Sequence, residues 1–366
     1  MVSRAATLQR LRSYFDWPLG ATTMAIIAVG LVNLYSATLA VKPALFYHQL
    51  GWMAGGIVLF IAVAAIDFRA FNRLAYVGWI LGVLSLMAVW KLGHSSHGAR
   101  RWIVVFGQWL QPSEPMKLLL VVALARYAND AAAGATSLAR RVAIPTVCLF
   151  IPTALIMKQP DLGTAMILVI IFWSVMAVID LPYILIATGI AVIASPIGWF
   201  FGLKEYQKER LLILFDPSRD PSGAGWHSRQ SIFAIGSGRL LGKGYLHGTQ
   251  NQLNFLPEHW TDFPFAVWAE EWGFIGCIAL LALYIVLVVW LVYLARQARD
   301  RFGAVACVGV AALVFWHVVI NVGMVTGVLP VVGVTLPLFS YGGSSLLTVM
   351  AAIGLLMNVS IRRYSY

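Results

Sequence analysis

The feature that most constrains this chain is the return, along its whole length, of predominantly apolar stretches close to twenty residues long. A bilayer hydrocarbon core about 30 Å thick takes roughly 20 helical residues at 1.5 Å rise each. Ten such stretches are present, at Leu19–Leu39, Gln49–Ile66, Leu74–Trp90, Ser113–Tyr127, Val142–Met157, Gly163–Ile179, Leu181–Phe201, Pro264–Ala295, Ala304–Val325 and Gly342–Ile361. They predict an all-α integral membrane protein, a polytopic bundle of about ten transmembrane helices forming a single unit over residues 1–366. Charged residues make up only 11% of the chain and its mean hydropathy is +0.81, whereas soluble domains carry about 25% charged residues. A water-soluble enzyme is thereby excluded. Cys148, Cys277 and Cys307 sit in apolar runs without metal-ligand spacing and read as small buried hydrophobes.

The formal charge of +11 belongs mostly to membrane-flanking arginines, so it gives no argument for nucleic acid. Sorting Lys and Arg by connection sets the expected orientation. With the N-terminus inside, the inner segments hold thirteen: Arg4, Arg10, Arg12, Arg69, Arg73, Arg126, Arg140, Arg141, Arg296, Arg299, Arg301, Arg362 and Arg363. The short outer connections hold Lys42, Lys91, Arg100, Arg101 and Lys158. Both termini are expected in the cytoplasm. The first apolar run lacks a small-residue cleavage site after it and reads as a retained span. Between spans 7 and 8 lies much the longest connection, Gly202–Phe263, rich in Gly and in charges of both signs. Such a segment cannot lie in lipid, where each unpaired backbone group costs several kcal/mol, so it is expected as a large extracytoplasmic loop or cap.

Four polar constellations stand at the expected outer helix ends. The densest runs from Asn254 through Glu258, His259, Trp260, Thr261 and Asp262 to Phe265. A carboxylate among Phe, Trp and Pro at a membrane boundary is partly desolvated and becomes a better base, which makes Asp262 the first catalytic candidate. Thr-Asp before Pro is equally an ordinary helix start, and one residue can serve both ends. The second constellation is Arg100-Arg101-Trp102 with Ser113-Glu114-Pro115-Met116-Lys117. Glu114 and Lys117 are three apart, on one helix face, and imply either a polar pocket or an internal ion pair with Arg101 reaching to lipid headgroups. Ser113 is the expected cap. The third, Lys158-Gln159-Pro160-Asp161-Leu162-Gly163-Thr164, reads as a tight turn with Thr164 capping the next helix. The fourth, Ser340-Tyr341-Gly342-Gly343-Ser344-Ser345, opens the last span, where hydroxyls at a helix start suit close packing or an anion such as pyrophosphate. Inside the spans, His317 and Asn321 are the main polar pair, expected as satisfied packing residues.

Taken together, these strings resemble the SEDS family of bacterial membrane proteins (shape, elongation, division and sporulation). The matching strings are Gly98-Ala99-Arg100-Arg101-Trp102-Ile103, Gln111-Pro112-Ser113-Glu114, Gln159-Pro160-Asp161-Leu162-Gly163-Thr164, Phe255-Leu256-Pro257-Glu258 with Thr261-Asp262-Phe263, and Leu338-Phe339-Ser340-Tyr341-Gly342-Gly343-Ser344-Ser345. They cover nearly the whole chain in the family's order. Ala269-Glu270-Glu271 and the short tails look more like the elongation branch, RodA, than the division branch, FtsW. The chain departs from the family pattern at Pro115, at Trp260, where the family has His, and at Pro264, where it has Ile.

The resemblance implies a peptidoglycan glycosyltransferase of the bacterial cytoplasmic (inner) membrane, active in cell-wall elongation and rod-shape maintenance. It would polymerise lipid II, an undecaprenyl-pyrophosphate-linked disaccharide peptide, beside a class B penicillin-binding transpeptidase and other elongation-complex proteins. The family's catalytic acid falls on Asp262, and its polar cavity on Arg101, Glu114, Lys117 and Asp161, with Lys158, Glu258, Ser344 and Ser345 as further substrate-binding candidates. An α-linked donor and a β-1,4 product imply one displacement with inversion, Asp262 taking the proton of the acceptor 4-hydroxyl while Lys117 and Arg101 offset the leaving pyrophosphate. A divalent cation, Mg or Mn, held by Glu114 or another carboxylate is a family-based expectation, and no organic cofactor is expected. Two other classes compete: a flippase or transporter of the lipid-linked precursor, and a non-catalytic scaffold for the transpeptidase. Transporters gather charges and broken helices near the midplane, whereas this chain gathers carboxylates toward one surface.

Overall fold

A computed structural model of the chain describes residues 15–39, 41–96, 99–105, 107–132, 134, 138–179, 208, 212–214, 220, 223–253, 255–256 and 259–362. The expected span Leu181–Phe201, Glu258 and the terminal Arg4, Arg10, Arg12 and Arg363 lie outside the described residues. Each of the other nine apolar stretches is a helix. Among the described residues the helices longer than one turn are, in chain order, α1 (Trp17–Leu39), α2 (Ala44–Ala65), α3 (Phe68–Leu92), α4 (Ser113–Ala132), α5 (Leu138–Lys158), α6 (Leu162–Ile179), the additional α7 (Ala224–Gly238), α8 (Pro264–Gln297), α9 (Arg301–Val325) and α10 (Gly343–Arg362). Seven of these are long and apolar enough to cross a membrane: α1, α2, α3, α6, α8, α9 and α10. α4 carries Glu114, Lys117, Arg126 and Asp130, and α5 has Pro145 and Pro152 inside it.

Side-chain caps fix where several helices begin. Asp67 accepts from the Arg69 N–H at 3.0 Å before α3, and Asp300 accepts from the Gly303 N–H at 2.7 Å before α9. Ser113 is the first residue of α4 rather than the residue before it. α10 lies at the centre, with 89% of its most apolar stretch buried, whereas α2 has 17% buried and presents its apolar side outward, as lipid-facing helices do.

Two features went unseen in the apolar pattern. Three strands form a small antiparallel sheet in the order β1-β2-β3, with β1 His94–Ser96, β2 Ala99–Val105 and β3 Gln108–Leu110. Within the long connection before α8, α7 packs along α8, and the Ser231 hydroxyl, fully buried, donates to the Val325 carbonyl at the end of α9.

α8 is interrupted at Gly273, whose φ of 63° and ψ of −162° are open to glycine and costly for other residues. The turn after α7 enters this break. The N–H groups of Lys243 and Gly244 donate to the Glu270 and Glu271 carbonyls at 2.9 and 3.0 Å, and those of Phe274 and Ile275 donate to the Arg239 and Leu240 carbonyls at 2.9 and 3.2 Å. Two carbonyls before the break and two N–H groups after it thus find partners in this turn, which makes a break tolerable within a bundle. The part of α8 after Gly273 is still about 36 Å long, enough to span hydrocarbon.

The two ends of the bundle differ. At one, Asp16 accepts from the Trp290 indole N–H at 2.8 Å and the Ser360 hydroxyl at 2.6 Å, tying α1 to α8 and α10. Asp67 pairs with Arg362 at 3.0 Å at that same end. The other end gathers the starts of α4, α6, α8 and α10, the last turns of α1, α5 and α9, and the sheet.

Candidate active site

At this second end the polar constellations gather in three bonded groups on neighbouring helices. β2 carries Arg101, whose Nε donates to the Gln159 carbonyl at 3.2 Å, while a terminal guanidinium nitrogen donates to the Pro160 carbonyl. Its Nη1 lies 3.8 Å from Asp161 Oδ1. Arg101 is therefore turned onto the α5–α6 connection, not outward to headgroups. Asp161 is the cap of α6, its oxygens accepting from the Thr164 N–H at 3.2 Å and the Thr164 hydroxyl at 2.9 Å. This reverses the expected roles: Thr164 sits one turn in, where it can donate but cannot cap. Gln111 joins the next helix, its Nε2 donating to Asp161 Oδ2 at 3.0 Å and its backbone N–H to the Ser344 hydroxyl oxygen at 2.9 Å. Lys158 is exposed in the last turn of α5.

Glu114 and Lys117 form the ion pair their spacing allows, with Nζ 2.7 Å from Oε1. Lys117 is 2% exposed, and its Nζ also lies 3.0 Å from His317 Nε2 on α9. Burying an ammonium is expensive unless each of its protons finds an acceptor. The carboxylate and the imidazole supply two.

Asp262 stands just before α8. The residue at the cap position is Phe263, one residue after Asp262. The segment around it is held from several sides. Asn33 Nδ2 donates to the Pro264 carbonyl at 3.1 Å, and the fully buried His259 lies with Nε2 2.8 Å from the Ala37 carbonyl, both on α1. The Tyr341 N–H donates to the Trp260 carbonyl at 2.8 Å, and the Lys42 ammonium sits 4.8 Å from the Trp260 ring centre. Asn321 Nδ2 donates to the Asp262 carbonyl at 2.9 Å and to the Val334 carbonyl at 2.6 Å.

Gly333 lies against the Asp262 carboxylate: a Cβ at this position would stand 3.3 Å from Oδ2, and the backbone φ is +72°. Two residues on, the Thr335 hydroxyl is 3.1 Å from that of Ser345. The extended segment after α9 therefore connects Asp262 to the start of α10. Sequence reasoning missed Gly333, Gln111 and Asn33; only Gln111, inside a matching string, left a signal that could have been followed.

Among the described residues no group of three or more His, Cys, Asp or Glu comes together in a way that could hold a metal ion. Glu114, the expected ligand for a divalent cation, is matched instead by the Lys117 ammonium. Cys148, Cys277 and Cys307 are buried thiols, as their surroundings in the sequence suggested.

Comparison with known proteins gives a consistent picture. The family model described as "Cell cycle protein", FTSW_RODA_SPOVE, matches residues 17–365. The chain is 40% identical over 348 residues to the peptidoglycan glycosyltransferase MrdB of Escherichia coli K12, covering 93% of each chain. It superposes with a TM-score of 0.82 on a chain from "Structural coordination of polymerization and crosslinking by a peptidoglycan synthase complex", at 35% identity over 96% of this chain and 99% of the other. The rod shape determining protein RodA of Thermus thermophilus matches with a TM-score of 0.73 and 32% identity over 96% of this chain and 98% of that one.

Proposed function

The chain belongs to the FTSW_RODA_SPOVE family of cell-cycle proteins, and we propose from that premise a peptidoglycan glycosyltransferase in which Asp262 is the general base. The activity is glycosyl transfer in cell-wall elongation, and the chain is a multi-pass membrane protein. The substrate in this reading is lipid II. Asp262 accepts the proton of the acceptor 4-hydroxyl as that oxygen attacks the donor's anomeric carbon, and the bond to the undecaprenyl pyrophosphate breaks with inversion. Pyrophosphate leaves with the electron pair, its growing negative charge met by Arg101 and Lys117, and Ser344 and Ser345 offer hydroxyls at the start of α10. The positive-inside distribution of arginine supports an extracytoplasmic position for this end of the bundle and a cytoplasmic one for both termini.

The observation that carries the base assignment is the start of α8. Asp262 lies one residue ahead of the cap position, Phe263, and Gly333 lies against its carboxylate, where a Cβ would stand 3.3 Å from Oδ2. The test is polymerisation of lipid II by the purified protein. General-base help is worth about 10²–10⁴ in rate, so Asp262→Asn should fall by that factor while folded. A folded Asp262→Asn protein with the parental rate removes the assignment. A class B penicillin-binding transpeptidase is the proposed partner, supported by the likeness to a chain from a peptidoglycan synthase complex.

A further inference from the structure

His317 and Asn321 lie four residues apart on α9, hence on one face, and are 1% and 0% exposed. Polar side chains so deep in an apolar helix are costly unless they are hydrogen-bonded. Their bonds run to the two halves of the proposed chemistry. His317 Nε2 is 3.0 Å from Lys117 Nζ. An ammonium has only protons to give, so Nε2 is the acceptor, and the imidazole is the neutral form with its proton on Nδ1. Asn321 uses both protons of its amide nitrogen, one toward the Asp262 carbonyl and one toward the Val334 carbonyl. Val334 follows Gly333, the residue that abuts the Asp262 carboxylate. One amide thus joins the two segments that flank that side chain.

We infer that His317 and Asn321 are positioning residues: they hold Lys117 and Asp262 at a separation set by one turn of α9. The inference rests on the reading of Asp262 as base. The two anchors are about 6 Å apart along the helix axis, a spacing fixed by helix geometry and not by flexible side chains. A base and a cation that act on the same displacement need such fixing, because a misplacement of about 1 Å can lower the rate roughly 100-fold. Packing alone would not require these two partners. A packing histidine can satisfy itself on any carbonyl, and a packing asparagine on its own helix.

The experiment uses the purified full chain, with thermal unfolding measured beside initial rates of lipid II polymerisation over a range of lipid II concentrations. Asn321→Ala and His317→Leu should each lower kcat roughly 10–100-fold while KM for lipid II stays within about twofold. His317→Gln, whose amide oxygen can stand where Nε2 accepts, should recover most of the lost kcat. Parental kcat in Asn321→Ala and His317→Leu, or a folded His317→Gln no better than His317→Leu, overturns the proposal. If Asn321→Ala does not fold, the Leu and Gln variants at position 317 decide it alone. Failure of the base assignment is read separately, from an active Asp262→Asn. In an inactive Asp262→Asn background, Asn321→Ala should lower the residual rate no further.

Discussion

At the scale of single residues, the site depends on what stands beside Asp262 as much as on the carboxylate itself. Gly333 occupies a left-handed backbone conformation, φ +72°, that costs an L-residue about 1–2 kcal/mol. Its missing side chain also leaves the space next to Oδ2, where a methyl carbon would stand at 3.3 Å. Gly333→Ala should therefore lose stability by about 1–2 kcal/mol in thermal unfolding and lose polymerisation rate by more than that unfolding explains. A rate that falls only with the folded fraction would show that the space beside Asp262 is not needed. Asp262 was legible in the sequence because a carboxylate among aromatics before a proline is chemically unusual. Gly333 was not, because a glycine in a Val-rich segment gives no sign of its φ or of what faces it. The exchange between Asp161 and Thr164 has a similar cause: both can cap, and only the backbone path shows which one stands at the cap and which one donates to it.

At the scale of elements, the apolar period located nine helices, yet the sheet, α7 and the break in α8 went unread. Strands of three and seven residues leave no periodic signal beside twenty-residue spans. The break is a tertiary event, because Gly273 can leave the helix only where the Arg239–Gly244 turn supplies partners for the freed backbone. The adjoining ion pair holds that turn in place. Glu270, fully buried, accepts from Lys243 Nζ at 2.6 Å and from the Thr249 hydroxyl at 3.0 Å. Lys243 is itself exposed, but losing its ammonium takes the counter-charge from the buried Glu270 carboxylate, which keeps its Thr249 and Gln250 donors, a loss of about 1–3 kcal/mol. Lys243→Met should lower the thermal midpoint and open the Arg239–Gly244 turn to proteolysis. Adding Glu270→Gln should recover much of the loss, since the double variant no longer buries a lone charge. If the double variant is as unstable as the single one, the pair does not hold the turn.

At the scale of the whole molecule, stability and chemistry are separated along the bundle axis. Ser344 in the site and Ser360 beside Asp16 belong to the same helix, sixteen residues apart, which places them about 24 Å from each other. Asp16 is 3% exposed and accepts from the Leu19 N–H at 3.2 Å as well as from Trp290 and Ser360. Asp16→Ala strips two buried donors, the Leu19 N–H and the Ser360 hydroxyl, and the half-buried Trp290 indole of their acceptor, and a buried donor left unmatched costs about 1–3 kcal/mol. The three will not add in full, because the donors relax together and water can enter at a helix end. A drop in the thermal midpoint is expected, larger than that for Asp67→Asn, since Asp67 and Arg362 are both exposed and such pairs are worth about 0–1 kcal/mol. Neither substitution touches the bonded groups that hold Arg101, Asp161, Lys117 and Asp262. Rate per folded molecule should therefore stay at the parental value in both, measured well below the lowered midpoint. A fall in kcat for folded Asp16→Ala would mean that α10 transmits strain from one end to the other and that the two ends are not independent. Asn321→Ala also leaves two carbonyls unmatched and should lose stability, but its rate per folded molecule should fall as well, and the pair of variants separates a helix that merely spans from one that sets the geometry of the site.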